Sequence, residues 1–345
     1  MLRRLLILSV VLSLGICSCS PGDSSYKSTR VIMGTYVTIT AERGGLPEVV
    51  VRAAVADAFK EIERVDRLMS TYKPESQLSL VNREAGVKPV AVDPEVLTAV
   101  GYALDAAGMT DGAFDPTVGP LVKLWGIGGD NPRVPGPGEI EAARSLVDYR
   151  QVVLDRAAGT VFIRKKGMSL DLGGIAKGYA SDLAVDALKE RGIKGGIVAV
   201  AGDLKMFGSR GDGSPWKVGI QHRREEGGIM AKAAITDGAT STSGDYERYF
   251  MHDGVRYCHI LDPKTGYPAN GLISITVIAG QSYMADSLAT GLFVLGPSKA
   301  YRFALSHPGI EVLMVDSKGG VMATGRFKGL GLKAVDVQNS SSSPR

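Results

Sequence analysis

Apolar residues recur at helical spacing along residues 47–69, and the run stops at Tyr72-Lys-Pro74, where proline cannot continue it. The same spacing predicts helices over residues 93–107, 139–147, 175–189 and 299–306, with another around Asp286. Segments rich in β-branched and apolar residues read as strands at 29–40, 151–154, 161–164, 196–200, 216–221, 231–235, 256–261, 272–278, 311–315 and 320–324. Residues 130–138, dense in proline and glycine, form a surface loop. Strands and helices mixed without a regular βα repeat favour an α+β architecture over a parallel barrel or doubly wound sheet. The chain has no internal repeat.

The two ends follow a different pattern. Arg3 and Arg4 precede an apolar run over residues 5–16, too short to span a bilayer comfortably but suited to the core of a signal peptide. Ile16-Cys-Ser-Cys19 resembles a bacterial lipobox, with a small residue directly before Cys19. The expected organisation is a signal peptide over 1–18, a polar tether over 19–28 beginning at a lipidated Cys19, a folded body over 29–334 and a disordered tail over 335–345. This implies export and lipid anchoring, at the periplasmic face of the inner membrane. Ordinary signal cleavage, giving a soluble exported protein, is the alternative.

At 345 residues and 44% apolar content, the chain can bury the core of one large domain or two smaller ones. Its net charge of +4 is dispersed, which argues against a nucleic-acid surface. Beyond Cys17 and Cys19 only Cys258 remains, so the body can form no internal disulfide. A single cysteine in a strand-like run reads as a small buried hydrophobe.

Two segments carry candidate chemistry. In Ser282-Tyr-Met-Ala-Asp-Ser-Leu-Ala-Thr290, Asp286 and Thr290 stand four residues apart, so on a helix both oxygens can face one point. A magnesium ion takes such oxygen ligands and leaves its other positions to water and substrate phosphates. The same residues would also suit a helix start, Asp favoured by the dipole and Thr bonded to its own turn. Ser169-Leu-Asp-Leu-Gly-Gly-Ile-Ala-Lys177 reads as a short strand, a glycine turn and a helix start, open to close approach by a ligand or to tight helix packing. Its spacing matches neither the P-loop nor the dinucleotide fingerprint.

Further segments, in order along the chain, carry a family resemblance. They are Met33-Gly-Thr35, Leu68-Met-Ser-Thr-Tyr72, Gly112-Ala-Phe-Asp-Pro-Thr-Val-Gly-Pro-Leu121, Leu124-Trp-Gly126 and Asp171-Leu-Gly-Gly-Ile-Ala-Lys-Gly178. Gly202-Asp203, Thr242-Ser-Gly-Asp-Tyr-Glu-Arg-Tyr249, His259-Ile-Leu-Asp-Pro-Lys-Thr-Gly-Tyr-Pro268 and Ala285-Asp-Ser-Leu-Ala-Thr290 complete the series. With these pieces the chain resembles the ApbE family of FAD:protein FMN transferases. The resemblance implies a T-fold-like mixed sheet with helices on its faces.

It also implies cleavage of FAD, with FMN moved to a threonine hydroxyl of an exported acceptor protein, such as a subunit of a membrane redox complex, and AMP released. By the same resemblance Met33, Tyr72, Ala113, Phe114, Asp115, Asp171, Lys177 and Leu261 fall at flavin-contact positions. Asp286 and Thr290, with backbone oxygens of Gly174 and Ala289, fall at magnesium positions. His259 is the candidate base for the acceptor hydroxyl, since imidazole titrates near ~6.5. Asp262 either orients it or caps the following turn. Residues 236–244 belong to the family's binding-site strand. A magnesium-dependent FAD pyrophosphatase and a non-catalytic FAD-binding lipoprotein are the rival readings. Altering the Asp286/Thr290 pair is expected to have little effect on folding.

Overall fold

The computed structural model describes residues 25–221 and 229–328. The expected signal peptide, Cys19, His222 and the C-terminal tail lie outside the described residues.

Where the sequence pattern predicts one strand over residues 29–40, the chain forms a hairpin of β1 (Ser25–Ile32) and β2 (Thr35–Glu42). Ile32 pairs with Thr35, and the intervening Met33 and Gly34 both take positive φ, 56° and 68°, as a tight two-residue hairpin turn requires. Strand-forming residues run continuously up to the turn, and methionine is not a turn former, so composition hides the reversal. β1 begins at Ser25, inside the stretch expected as tether.

The chain continues through α1 (Glu48–Met69), α2 (Gln77–Arg83), β3 (Val90–Ala91), α3 (Pro94–Met109), α4 (Gly119–Trp125) and α5 (Pro137–Arg144). β4 (Val152–Asp155), β5 (Thr160–Ile163), α6 (Ala176–Glu190), β6 (Gly196–Val200) and β7 (Asp203–Phe207) follow. Next come β8 (Trp216–Gln221), β9 (Ile229–Ile235), β10 (Gly238–Gly244), β11 (Tyr249–His252), β12 (Val255–Cys258) and β13 (Leu272–Ala279). The described chain ends with α7 (Ser282–Leu295), α8 (Pro297–Ser306), β14 (Glu311–Asp316), β15 (Val321–Ala323) and α9 (Gly325–Lys328). The strand expected at residues 169–171 is reduced to one bridge between Ser169 and Val118.

Eight strands form one sheet in the order β1-β2-β6-β7-β10-β13-β14-β15. The fold is α+β as expected; each ladder in this sheet is antiparallel, a narrower description than the implied mixed sheet. Helices α1 and α6 pack with β2 and β6 in one core, and α7 and α8 pack with β10, β13 and β14 in another. The hairpin β8–β9 meets Met206, Ile278 and Leu313 of the sheet in a third cluster.

The apolar stripe of α1 explains its length: Val51, Val55, Phe59, Ile62 and Val65 are all buried. Each such side chain contributes about 1.5–3 kcal/mol when taken from water. Two contacts place the later site. A Cβ at Gly178 would lie 2.2 Å from the Ser282 carbonyl oxygen, so glycine is what lets α6 and α7 touch backbone to backbone. The hairpin β11–β12 stacks Phe250 on Tyr257 and Tyr257 on Trp125, while Trp125 Nε1 donates to the Gly266 carbonyl at 2.8 Å. That anchor holds the segment after β12 against α4.

Candidate active site

A cavity of about 1250 Å³ gathers the first turn of α6, the middle of α7, the β1–β2 turn and the segment after β12. Met33, Tyr72, Ala113, Phe114, Asp115, Asp171, Gly174, Lys177, His259, Leu261, Asp286 and Thr290 all line it. Ala289 does not. It is fully buried on α7 among the apolar residues of the second core, so only its backbone could serve the expected role.

The electrostatic centre joins three elements. Lys177 Nζ of α6 lies 2.9 Å from Asp286 Oδ1 of α7 and 3.4 Å from Asp203 Oδ2 of β7. Asp286 Oδ2 accepts the Gly178 N–H at 3.0 Å. Burial works against the charged lysine, yet the two carboxylates hold its pKa above the ordinary value. Burial likewise pushes the Asp286 carboxyl up, against the pull of Lys177. One ammonium facing two carboxylates leaves this buried cluster with a net negative charge, which a cation would offset.

Asp286 and Thr290 do share one face of α7, as their spacing predicts. Thr290 Oγ1 makes only a 3.5 Å contact to the Asp286 carbonyl, at the limit of a hydrogen bond. A Cβ on Gly174 would come within 3.2 Å of that hydroxyl and 3.1 Å of the Phe114 ring, so glycine brings its own backbone close to Thr290. A carboxylate and a hydroxyl on one helix face are hard-oxygen groups of the kind magnesium takes, although both Asp286 oxygens here bond to Lys177 and the Gly178 N–H. Among the described residues no cluster of three or more His, Cys, Asp or Glu suggests a softer metal.

His259 is half-buried beside this cluster. Its backbone N–H donates to the Arg248 carbonyl at 3.0 Å, and its Nδ1 lies 3.2 Å from the same oxygen. A carbonyl only accepts, so Nδ1 carries the proton and Nε2 keeps its lone pair. Burial lowers the imidazole pKa to about 4, and the cations Arg248 and Lys177 press the same way. Asp262 does not orient the ring: its carboxylate accepts the Lys264 N–H at 2.8 Å, and its backbone closes the turn with Gly266 and Tyr267. Cys258 is buried with its thiol directed at the Ile260 and Ala269 carbonyls, and burial pushes it up to about 11, which makes it inert.

The other expected contacts differ in character. Asp115 is buried and accepts from the Thr117 N–H, the Thr117 hydroxyl and the Tyr149 N–H at 2.8, 2.6 and 3.1 Å, so it shapes the wall on which Phe114 stands. Asp171 accepts the Gly173 N–H at 2.7 Å and its carboxyl is pushed up by burial. Tyr72 is 86% exposed, a ring at the rim with an open face for a flat ligand.

Asp203 and Arg248 stand in motif segments that give neither side chain a role in the sequence, and both line the cavity. So does a hydroxyl-bearing wall of Thr240, Thr242, Ser274 and Thr276 on β10 and β13. One signal would have marked the β6–β7 turn only in three dimensions. Four non-glycine residues among those described take positive φ, and two of them, Met33 and Ala201, line this cavity. Such conformations cluster where a site fixes its backbone.

The site is therefore that of an enzyme handling a large, charged ligand, with a neutral imidazole beside a buried cation–carboxylate cluster. The ApbE family model matches residues 33–314, and the chain belongs to the ApbE family. It is similar to the FAD:protein FMN transferase of Treponema pallidum, 34% identical over 326 residues that cover 90% of this chain and 89% of that protein. The FAD:protein FMN transferase of Vibrio cholerae is 38% identical over 258 residues, 74% of this chain and 76% of that protein. The crystal structure of the ApbE protein from Thermotoga maritima superposes with a TM-score of 0.82 at 36% identity, covering 88% of this chain and 98% of that one.

Proposed function

We propose that this protein is an FAD:protein FMN transferase that moves the FMN half of FAD to a threonine hydroxyl of an acceptor protein and releases AMP. The observation that carries the reading is the placement of His259, its Nδ1 committed to the Arg248 carbonyl, in one cavity with the Lys177/Asp203/Asp286 cluster and Thr290.

The chemistry balances without redox change. The acceptor Oγ attacks the FMN phosphorus, the Oγ–P bond forms, and the bond from that phosphorus to the AMP oxygen breaks. Nε2 of His259 accepts the hydroxyl proton, and AMP leaves with the displaced electron pair. A threonine hydroxyl is a weak nucleophile at neutral pH, so it needs this base. Asp286 and Thr290, with backbone oxygen from Gly174 and Ala289, would hold Mg²⁺, which when bound neutralises charge on the pyrophosphate. Tyr72, Phe114 and Leu261 supply apolar contact for the flavin, and the hydroxyl-bearing wall supplies polar contact. Lys177 keeps Asp286 in place and adds positive charge near the phosphates.

We further propose that the protein is exported and lipid-anchored through Cys19, acting on an exported acceptor. The function is tested by incubating the protein with FAD, Mg²⁺ and a threonine-bearing acceptor. An acceptor mass increase equal to FMN, with equimolar AMP, is the expected result. FMN and AMP released in solution with no acceptor modification would make it a pyrophosphatase, and neither product would make it a flavin carrier.

A further inference from the structure

The charge cluster in the cavity is backed by a second one built from the same three elements. α6 supplies Asp182 one turn beyond Lys177, β7 supplies Lys205 two residues beyond Asp203, and α7 supplies its own first turn. Both oxygens of Asp182 accept the Ser282 N–H, at 3.0 and 2.9 Å, and Oδ2 also accepts the Tyr283 N–H at 2.9 Å. Lys205 Nζ lies 3.1 Å from Asp182 Oδ1 and donates to the Gly280 carbonyl at 2.7 Å and to Gln281 Oε1 at 3.1 Å. Lys205 is only 6% exposed.

This arrangement replaces an ordinary helix cap. The residue before α7, Gln281, makes no capping hydrogen bond of its own, and the first two N–H groups of the helix, of Ser282 and Tyr283, are satisfied by a carboxylate from another helix. A cap within the same segment fixes only the helix end. A cap from α6, itself held by β7, fixes where α7 stands relative to both. Buried ion pairs add little net stability over apolar packing, so the pair's contribution is placement. One turn further along α7, Asp286 makes its bonds of 2.9 and 3.0 Å to Lys177 and Gly178. A slip of one residue along the axis is about 1.5 Å, enough to break them.

We infer that Asp182 and Lys205 are positioning residues for Asp286 and Thr290: by capping α7 from α6 and β7, they set where the carboxylate and hydroxyl stand in the cavity. Insofar as that pair holds a metal, the inference rests on the proposed function.

The test compares Asp182→Asn and Lys205→Met with the wild-type full chain. A control, Arg64→Met, removes a part-buried cation between α1 and α3 and is compared at matched loss of Tm. Amide hydrogen exchange at Gly178 reports the Asp286 carboxylate without any metal, and electron paramagnetic resonance measures Mn²⁺ binding. In both variants Gly178 should lose protection, and Mn²⁺ should bind about 10- to 100-fold more weakly, the usual effect of removing an outer partner of a metal ligand. Arg64→Met should change neither. Unchanged Gly178 exchange in both variants would overturn the inference. So would an equal change in Arg64→Met, or loss of native near-UV circular dichroism in both variants, which would make the pair a general stability element. If wild type binds no Mn²⁺, the metal reading falls, and Gly178 exchange alone decides the positioning role.

Discussion

An imidazole can take a proton at neutral pH only if it is neutral and presents a free nitrogen, and at His259 both conditions come from its surroundings. Burial keeps it neutral, and the Arg248 carbonyl fixes the tautomer. Replacing it by asparagine should leave flavin affinity by fluorescence near wild type and slow single-turnover transfer by roughly 10² to 10⁴. Parallel loss of FAD binding would show a binding role instead. A pKa of about 4, below the ordinary 6.5, also has a sign that can be checked. Between those values the unfolded chain binds the extra proton, so stability should fall as pH drops through this window, and His259→Asn should flatten that slope. For Asp286 the structure revises the expectation that substitution spares the fold. Asp286 is 3% exposed and ties α6 to α7, so Asp286→Ala should abolish magnesium-dependent turnover and also cost about 1–3 kcal/mol in urea unfolding. Full activity of that variant at limiting magnesium would refute its assignment.

At the scale of elements, the contact of α6 with α7 is the most sensitive join. Gly178→Ala would place a methyl against the Ser282 carbonyl, so overpacking should cost about 1–3 kcal/mol and weaken Mn²⁺ binding as α7 is displaced. Wild-type stability and Mn²⁺ affinity in that variant would show that the helices can part without consequence. The sequence reveals α1 plainly, because its stripe of Val51, Val55, Phe59 and Ile62 has helical period. It hides β7 for an equally physical reason. Asp203 and Lys205 break up the apolar run of Leu204, Met206 and Phe207, so composition marks no strand there, yet both charged residues are buried in the two ion clusters. β10 is hidden by pattern alone because its buried positions are small or hydroxyl-bearing, Gly238, Ala239, Thr240, Ser241 and Gly244, and Thr240 and Ser241 line the cavity. Motifs mark most of the residues that the structure gathers around one cavity. They do not mark the joining, since Lys177 and Asp286 lie 109 positions apart and meet only through the helix crossing.

For the whole molecule, the question is where the cavity works relative to the membrane that the lipobox-like Ile16-Cys-Ser-Cys19 implies. β1 begins at Ser25, so six residue steps separate it from Cys19. Fully extended, they reach roughly 20 Å. A lipidated Cys19 would therefore keep the body close to the bilayer surface, where its acceptor would have to be presented. One acyl chain gives an association constant of only about 10⁴ M⁻¹, so stable retention needs the several chains of a bacterial lipoprotein. Among the described residues no helix is long and apolar enough to cross a membrane, and the lone cysteine there, Cys258, is buried. Cys19→Ala should accordingly separate location from chemistry. Fractionation should find the variant released or unprocessed rather than in washed membranes, while the purified protein transfers FMN to a soluble acceptor at the wild-type rate. Mass analysis of the native membrane form supplies the opposing result, because an unmodified Cys19 at its mature N-terminus would remove the lipid anchor from the proposal while leaving the transfer chemistry intact.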